Sequence, residues 1–271
     1  MTVEAPAKIN LSLRILRKRE DGFHELETLM VPVPGLCDEL EIEEADEFAF
    51  SCDDPALPVG DDNLVVKAVR LLEKRIGRSC DFLLTLRKRI PHGAGLGGGS
   101  SDAATALLAL NHLSGAGLTL EELRELAAEL GSDVPFFLYG KPCWCRGRGE
   151  LIEPLELAWD TPMVLVKPRF GVSTPDAYKR WQGSRELPGI SYAPQLVNGT
   201  ELVNDLERPV FEKHRFLAEV KSWLLARPEV GAALMSGSGS TMMAFLSEAG
   251  EASALQEAAR RELDPTLWAW S

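Results

Sequence analysis

The chain has 271 residues, of which 45% are hydrophobic and 26% are charged, and its formal net charge at pH 7 is −12. This length predicts one or two domains with an ordinary buried core. A negative charge of this size repels nucleic acid and anionic membranes, and no stretch reaches about 18 apolar residues. We therefore expect neither a nucleic-acid nor a membrane partner.

The N-terminal residues lack the basic and apolar regions of a signal peptide, and the five cysteines form an odd number without C-x-x-C spacing. We expect free thiols and a cytoplasmic location. The segment Cys143-Trp144-Cys145 has no metal-binding partners nearby and is more typical of a strand with one buried thiol. The sequence indicates neither an oligomeric state nor a set of metal ligands.

The first predicted element is a strand over residues 8–16, where apolar and polar residues alternate. This alternation is typical of a half-buried strand. One face of the strand would then carry Lys8, Asn10, Ser12 and Arg14.

Further elements follow before residue 90. Two strands are predicted over 27–33 and 38–42, with a turn at Pro34-Gly35 between them. Apolar residues at helical spacing predict a helix over 64–76, capped by Asp62 or Asn63. A strand over 81–86 comes next.

A glycine-rich segment, called here the first glycine loop, occupies residues 91–101 and leads into a predicted apolar helix over 101–113. Glycines let the backbone approach a ligand, and the first turn of a helix has unpaired N–H groups that suit phosphate. The sequence therefore predicts a polyphosphate site. The residues assigned to it are Pro91, Gly93, Gly95, Leu96, Gly97, Gly98, Gly99, Ser100 and Ser101.

Two other phosphate-binding motifs fit this loop less well. Its spacing satisfies G-x-G-x-x-G. A dinucleotide-binding fold, however, should have an acidic residue at the end of a second strand about 20 residues further on, where Thr119 instead starts a helix. A P-loop requires Lys directly before Ser or Thr, and Gly99 stands there. A turn without a ligand is the remaining alternative, although consecutive glycines cost backbone entropy.

The rest of the chain alternates helices and strands. Thr119 and Glu122 predict a capping box for a helix that ends at Gly131. A domain boundary is predicted near 154–161. The later predicted elements are a strand over 163–166, one long helix over 209–226, strands over 232–235 and 242–246 flanking a second glycine loop (residues 236–241), a helix over 251–263 and a strand over 267–270.

Asp133 lies between a helix and an apolar run. A carboxylate in such surroundings has to be paired or functional, although the position also suits a simple turn residue. Lys8 could pair with it. An isolated lysine on a strand is otherwise an edge or surface residue.

Five segments, taken together and in order, resemble the GHMP small-molecule kinases. They are residues 6–11, 21–26, 95–101, 132–137 and 236–241. The resemblance extends from Pro6 to about Leu246, and within the family it points to a kinase of a cytidine-diphosphate-linked polyol. It implies an α+β, two-domain GHMP kinase fold.

The resemblance also implies how the domains divide the chain. Residues 1–156 would form a ribosomal-S5-like, nucleotide-binding N-terminal domain. Residues 157–271 would form a ferredoxin-like, substrate-binding C-terminal domain, with a final segment that stays there or returns to the first domain.

The family pattern assigns roles at matching positions. Asp133 matches the catalytic base and Lys8 matches its partner, with ATP and Mg²⁺ as cofactors. The first glycine loop would bind ATP, and Asn10 would contact the substrate. Within the second glycine loop, Gly237, Ser238 and Gly239 would complete the phosphate pocket.

Aromatic residues match the positions that bind the cytosine base. Phe23 and His24 would stack on the base and recognise its edge. Tyr178, which follows the Thr174-Pro175 element, would stack on the other face, and Thr174 would also bind the substrate. The family usually has Tyr at position 23 and Phe at position 178. Stacking survives both exchanges, but a hydroxyl at position 23 is absent.

Two other functions remain open. One is another GHMP kinase activity, on mevalonate, homoserine or a sugar, and the other is a nucleotide-binding regulatory module without catalysis. A small aliphatic substrate has no use for a base-binding aromatic pair, and a regulator has no use for both Lys8 and Asp133. Residues 204–207, Asn-Asp-Leu-Glu, also resemble a family element, to which no chemical role is assigned.

Overall fold

The computed structural model describes residues 1–271, and the chain divides into two compact units. Unit 1 contains Met1–Lys8, Pro32–His92 and Gly97–Leu155, and unit 2 contains Ile9–Val31, Gly93–Leu96 and Glu156–Ser271. Residues 9–31 and 93–96 thus group with unit 2, whereas the sequence placed them in the first domain. The functional domain boundary at 156/157 stays a prediction.

Two long strands begin the chain, β1 over Thr2–Lys18 and β2 over His24–Glu44. The predictions of a half-buried first strand and of a turn at Pro34-Gly35 were both wrong in part. β1 is buried on both faces in its central region, where Lys8 and Asn10 are as inaccessible as their apolar neighbours. β2 passes through the predicted turn, because Gly35 takes a φ of +81° and accommodates the irregularity within a continuous strand.

Unit 1 combines strands with four helices. In chain order they are β3 (Ala49–Cys52), α1 (Leu64–Ile76), β4 (Phe82–Arg87), α2 (Gly98–Leu113), α3 (Leu120–Leu130), α4 (Val134–Phe137), β5 (Cys143–Gly147) and β6 (Leu151–Pro154). β4 pairs antiparallel with β2 and parallel with β3, while β5 and β6 form an antiparallel pair. α1 packs against α2 and α3.

Local side-chain chemistry sets the helix starts in unit 1. Asn63, not Asp62, caps α1, since its side chain accepts a hydrogen bond of 2.8 Å from the Val65 backbone N–H. The capping box of Thr119 and Glu122 is confirmed. α2 starts at Gly98, three residues earlier than predicted, so part of the first glycine loop is helical.

Unit 2 is built around a four-stranded antiparallel sheet. In chain order its later elements are β7 (Met163–Lys167), α5 (Thr174–Arg180), β8 (Gln195–Val197), β9 (Thr200–Asn204), α6 (Glu207–Lys213), α7 (Arg215–Leu225), β10 (Val230–Met235), β11 (Met242–Leu246), α8 (Ala252–Glu262) and β12 (Trp268–Trp270). The strand order is β10-β11-β7-β12, so the final segment lies beside β7. β8 and β9 form a hairpin, and β9 runs parallel to β1.

The predicted long helix over 209–226 was wrong. It is two helices, α6 and α7, because His214 adopts φ −116° and ψ 72° and interrupts the helical backbone. The break lets both helices face the core of unit 2, where Phe211 from α6 and Leu217 and Leu224 from α7 are fully buried.

All five cysteines are free. Cys143 and Cys145 lie on β5 and both are buried, where the sequence predicted one buried thiol. Burial raises the pKa of the Cys143 thiol to about 11 and raises the pKa of the Cys145 thiol further. None of the helices combines the length and the apolar character needed to cross a membrane.

Candidate active site

Lys8 and Asp133 form an ion pair in unit 1. Lys8 Nζ lies 3.6 Å from Asp133 Oδ2, with the lysine side chain 4% exposed and the aspartate side chain 41% exposed. β1 carries Lys8, and Asp133 lies at the start of α4, followed by the buried Val134, Phe136 and Phe137. The buried cation thus holds a carboxylate that remains open to an incoming ligand.

The first glycine loop packs directly on this pair. A Cβ atom on Gly97 would lie 2.9 Å from Lys8 Cγ and 2.8 Å from Phe137 Cζ, closer than a side chain can approach. Gly97 also has a φ of +73°, in the left-handed region that favours glycine. Glycine at position 97 is therefore required by both backbone conformation and space.

The N-terminus of α2 has the properties expected of an anion site. No side chain caps it, and no acidic residue lies in its first turn. Its first turn therefore leaves backbone N–H groups that no capping side chain occupies. The Ser101 hydroxyl, one turn into the helix, is fully buried without a hydrogen-bond partner.

A buried charged cluster that sequence reasoning missed supports the base of this loop. Lys88 Nζ pairs with Asp38 and lies 2.6 Å from Asp102 Oδ2. The other oxygen of Asp38 accepts hydrogen bonds from the backbone N–H groups of Arg89 and Ile90, at 2.6 and 2.8 Å. The cluster joins β2, the segment entering the loop and α2, and only the tertiary structure brings its members together.

The Asp38–Lys88–Asp102 cluster holds two carboxylates and one ammonium group. Burial, opposed by the Lys88 charge, raises the pKa of Asp102 to about 7. One oxygen of Asp102 is buried without a hydrogen-bond partner. Asp102 therefore retains a proton in the folded protein at pH values where an exposed aspartate is ionised.

In unit 2, residues 93–96 pack against the second glycine loop. Ser236 Oγ donates a 3.0 Å hydrogen bond to the Gly95 carbonyl, and the Thr241 N–H donates one of 3.1 Å to the Ala94 carbonyl. A methyl group on Gly95 would collide with the Ser236 carbonyl oxygen. The two glycine loops are thus held in direct backbone contact.

The other residues predicted for the two glycine loops differ in burial and backbone conformation. The Leu96 side chain is buried, whereas Pro91 is half-buried. Within the second glycine loop, Gly237 and Gly239 take positive φ values of +54° and +85°. Ser238 Oγ lies 2.7 Å from Thr174 Oγ1, which ties the loop to the start of α5.

The predicted base-binding residues His24 and Tyr178 lie together in unit 2. Their ring centroids are 5.3 Å apart with an interplanar angle of 30°. Trp181, which sequence reasoning missed, meets His24 edge to face at 5.8 Å. Its position three residues after Tyr178 on a helical turn could have indicated it. Phe23 is 51% exposed.

Asn10 is buried on β1. Its side-chain amide donates a 2.8 Å hydrogen bond to Thr28 Oγ1, which in turn donates one of 2.6 Å to the Ser12 carbonyl. This network fixes the orientation of the amide. The predicted substrate contact of Asn10 stays a prediction.

Comparison with known proteins decides the family. Models of the GHMP kinase N-terminal and C-terminal domains match residues 63–141 and 195–264. The 4-diphosphocytidyl-2-C-methyl-D-erythritol kinase of Methylacidiphilum infernorum is 44% identical over 248 residues, which cover 90% of this chain and 85% of the relative. This chain belongs to that family of GHMP kinases. The Protochlamydia amoebophila kinase of the same name is 41% identical over 238 residues, covering 88% of this chain and 81% of that protein.

Solved structures agree with this membership. A crystal structure of 4-(cytidine 5'-diphospho)-2C-methyl-D-erythritol kinase matches with a TM-score of 0.80 and 38% identity, covering 99% of this chain and 98% of that one. Homoserine kinase from Cytophaga hutchinsonii matches with a TM-score of 0.66 at 19% identity, covering 100% and 94%, and shares the fold alone. The predicted α+β GHMP kinase fold is confirmed.

The position of Gly97 in this kinase predicts a strong effect of a single methyl group. Gly97→Ala should lower the free energy of unfolding by about 1–2 kcal/mol from the left-handed backbone, with an added cost from the Lys8 and Phe137 contacts. Gly99→Ala is the matched control, because its Cβ would meet only Leu64 Cδ1, at 3.6 Å. Urea unfolding of both variants measures the difference, and equal free energies would contradict the argument.

The raised pKa of Asp102 predicts a pH-dependent stability. Between about pH 4 and pH 7 the folded chain binds a proton that the unfolded chain has lost, so Asp102 makes the free energy of unfolding fall as pH rises. Asp102→Asn removes this dependence. The free energy of unfolding of the wild type, minus the free energy of unfolding of the variant, should therefore decrease by at least about 1 kcal/mol from pH 5 to pH 8.

Urea unfolding at several pH values tests this expectation. Asp62→Asn, at an exposed carboxylate before α1, serves as the control. A constant difference between wild type and Asp102→Asn across this range would show that Asp102 does not hold the proton.

Proposed function

We propose that this chain transfers the γ-phosphoryl group of ATP to the 2-hydroxyl of 4-diphosphocytidyl-2-C-methyl-D-erythritol, a step of the non-mevalonate isoprenoid pathway. The observation that carries the proposal is the Lys8–Asp133 ion pair, seated against Gly97 of the first glycine loop. Its members occupy the positions of base and partner in the family pattern. Family membership supplies the kinase chemistry and the name of the substrate.

The residues divide the work of phosphoryl transfer. Asp133 accepts the proton of the substrate hydroxyl. The hydroxyl oxygen forms a bond to the γ-phosphorus of ATP while the bond from that phosphorus to the leaving ADP oxygen breaks. Lys8 orients the Asp133 carboxylate and favours the negative charge that develops on the attacking oxygen. The unpaired N–H groups in the first turn of α2 bind the phosphates.

Mg²⁺ fits the oxygen groups of this region. It prefers oxygen ligands and usually keeps waters and substrate phosphates among them. Ser101 Oγ, which is buried without a hydrogen-bond partner, is the group that would hold it together with the phosphates of ATP. No cluster of three or more His, Cys, Asp or Glu side chains could hold a metal ion alone. Bound with ATP, the ion neutralises phosphate charge.

The aromatic group in unit 2 supports a cytidine-containing substrate. Burial, with a smaller contribution from Lys18, lowers the pKa of His24, so the imidazole is neutral at pH 7. A neutral imidazole has one donor and one acceptor, which suits the mixed donor and acceptor edge of cytosine. Phe23 and Tyr178 would stack on the base faces.

The alternative GHMP substrates mevalonate, homoserine and sugars have no base to stack. The His24, Tyr178 and Trp181 rings favour the cytidine compound over them. A regulatory module without catalysis is disfavoured because Lys8 and Asp133 are both present and paired. The proposal also includes a cytoplasmic location and no nucleic-acid or membrane partner, which rest on the sequence alone.

Asp133→Asn should lower kcat by at least ~10²-fold while ATP still binds, because the amide cannot accept the hydroxyl proton. Lys8→Ala should show a similar loss. Glu125→Gln, which alters an exposed carboxylate paired with Arg75, is the control and should keep its activity. Steady-state kinetics and calorimetric ATP titration measure both quantities. Activity of Asp133→Asn within about threefold of wild type would refute its role as base.

Substrate recognition is tested with cytidine- and uridine-linked substrates. Phe23→Ala or Tyr178→Ala should raise KM for the cytidine compound by roughly 5- to 150-fold, from ~1–3 kcal/mol of stacking. His24→Ala should instead lower the cytosine preference in kcat/KM. Trp223→Phe, an aromatic exchange on α7, is the control. A wild-type chain that uses mevalonate or homoserine and ignores the cytidine compound would refute the substrate assignment.

A further inference from the structure

The Asn-Asp-Leu-Glu element at residues 204–207, which has no role in the chemistry above, holds the entrance of the second glycine loop. Asn204 ends β9 and Glu207 starts α6. Both side chains are almost completely buried. Their polar atoms are directed at the backbone where β10 passes into the loop.

Asn204 uses both of its donors on this backbone. Its Nδ2 donates hydrogen bonds of 2.7 Å to the Met235 carbonyl and 2.8 Å to the Gly237 carbonyl. Its Oδ1 accepts one of 2.9 Å from the Leu206 N–H. The two donated hydrogen bonds depend on the amide nitrogen, because a carboxylate of the same shape would place an oxygen against two carbonyl oxygens.

Glu207 holds the other side of the same peptide. Its Oε1 accepts a 2.9 Å hydrogen bond from the Met235 N–H, and its Oε2 lies 2.5 Å from Lys221 Nζ. Lys221 is as buried as Glu207, and the two side chains balance each other's charge. Loss of one partner would leave a buried unpaired charge, which is strongly unfavourable.

The position of this entrance is transmitted to the first glycine loop. Ser236 lies between Met235 and Gly237. The hydrogen bonds of Asn204 and Glu207 therefore fix the backbone on both sides of Ser236. A Cβ atom on Gly95 would collide with the Ser236 carbonyl oxygen, so the two backbones pack too closely for a side chain, and Ser236 Oγ donates to the Gly95 carbonyl. A small displacement of Ser236 therefore moves residues of the loop that is proposed to bind ATP.

We propose that Asn204 and Glu207 are positioning residues for nucleotide binding, which act by fixing the backbone of Met235 and Gly237 so that the second glycine loop aligns the first. The Lys221 ammonium balances the charge of Glu207. The inference rests on the proposed function, because it assumes that the first glycine loop binds the phosphates of ATP. Neither residue touches the nucleotide.

Calorimetric ATP binding is the test, since it needs no phosphate acceptor. Asn204→Asp and Asn204→Ala should raise the Kd for ATP by at least about tenfold, the aspartate by more because of its added repulsion. Glu207→Gln keeps an acceptor for Met235 but leaves Lys221 unpaired, and should raise the Kd by about fivefold. Glu207→Gln/Lys221→Met removes both charges, keeps the acceptor and should return the Kd to within about twofold of wild type.

Asp205→Asn is the matched control within the same element. Its side chain accepts a hydrogen bond from the Ile15 N–H and does not touch the loop, so its Kd should remain within about twofold of wild type. Circular dichroism establishes which variants are folded. The double variant and Asn204→Ala decide the question if Asn204→Asp does not fold.

A Kd for ATP within about twofold of wild type in the folded Asn204 variants would overturn the inference, as would a double variant no better than Glu207→Gln. The wild-type protein tests the proposed function separately. If it binds ATP but does not phosphorylate the cytidine compound, the substrate assignment fails and the positioning roles stand on the variant Kd values. If it binds no ATP, both fail.

Discussion

The contact between Gly97 and the aliphatic part of Lys8 is the constraint on which the candidate active site depends. It places the start of α2, with its unpaired N–H groups, against the same lysine that pairs with Asp133. One side chain thus contacts the proposed phosphate-binding backbone through its methylenes and the proposed base through its ammonium group. The geometry of both partners follows from a single buried residue on β1.

Binding a polyphosphate in a chain of net charge −12 requires local solutions. The structure provides backbone donors at α2, whose first turn carries no acidic residue, and pairs two further buried lysines with carboxylates. Lys88 is held by Asp38 and Asp102, and Lys221 is held by Glu207. These pairs therefore support the loops without adding free charge to the site.

Much of this arrangement could be predicted where the signal is local. The capping box at Thr119, the cap at Asn63 and the strands around the second glycine loop depend on residues a few positions apart. The family pattern identified Lys8 and Asp133, and the structure brings them together. The predicted turn at Pro34-Gly35 and the long helix through His214 failed because tertiary packing favoured a continuous strand in one case and a break in the other.

The groups whose structural roles were missed depend on contacts between parts of the chain that are distant in sequence. Asp38, Lys88 and Asp102 are 14 or more residues apart in sequence and meet only after β2 and α2 are packed. Asn204 and Glu207 were noticed as a pattern, but their partners are backbone atoms of Met235 and Gly237, which carry no sequence signature. Hydrogen bonds from a side chain to main-chain groups that are distant in sequence are determined by the fold and cannot be read from residue types.

The five free cysteines have a practical consequence. Burial is the leading cause of a raised pKa for every one of these thiols, from the half-buried Cys37 and Cys52 to the fully buried Cys145. Thiolate is the reactive form, so burial and the raised pKa together slow the reaction of Cys143 and Cys145 with thiol reagents at neutral pH. A single cysteine introduced at an exposed position would react first. The two thiols on β5 therefore need not be removed before a fluorescent or spin label is attached to a cysteine introduced on the surface.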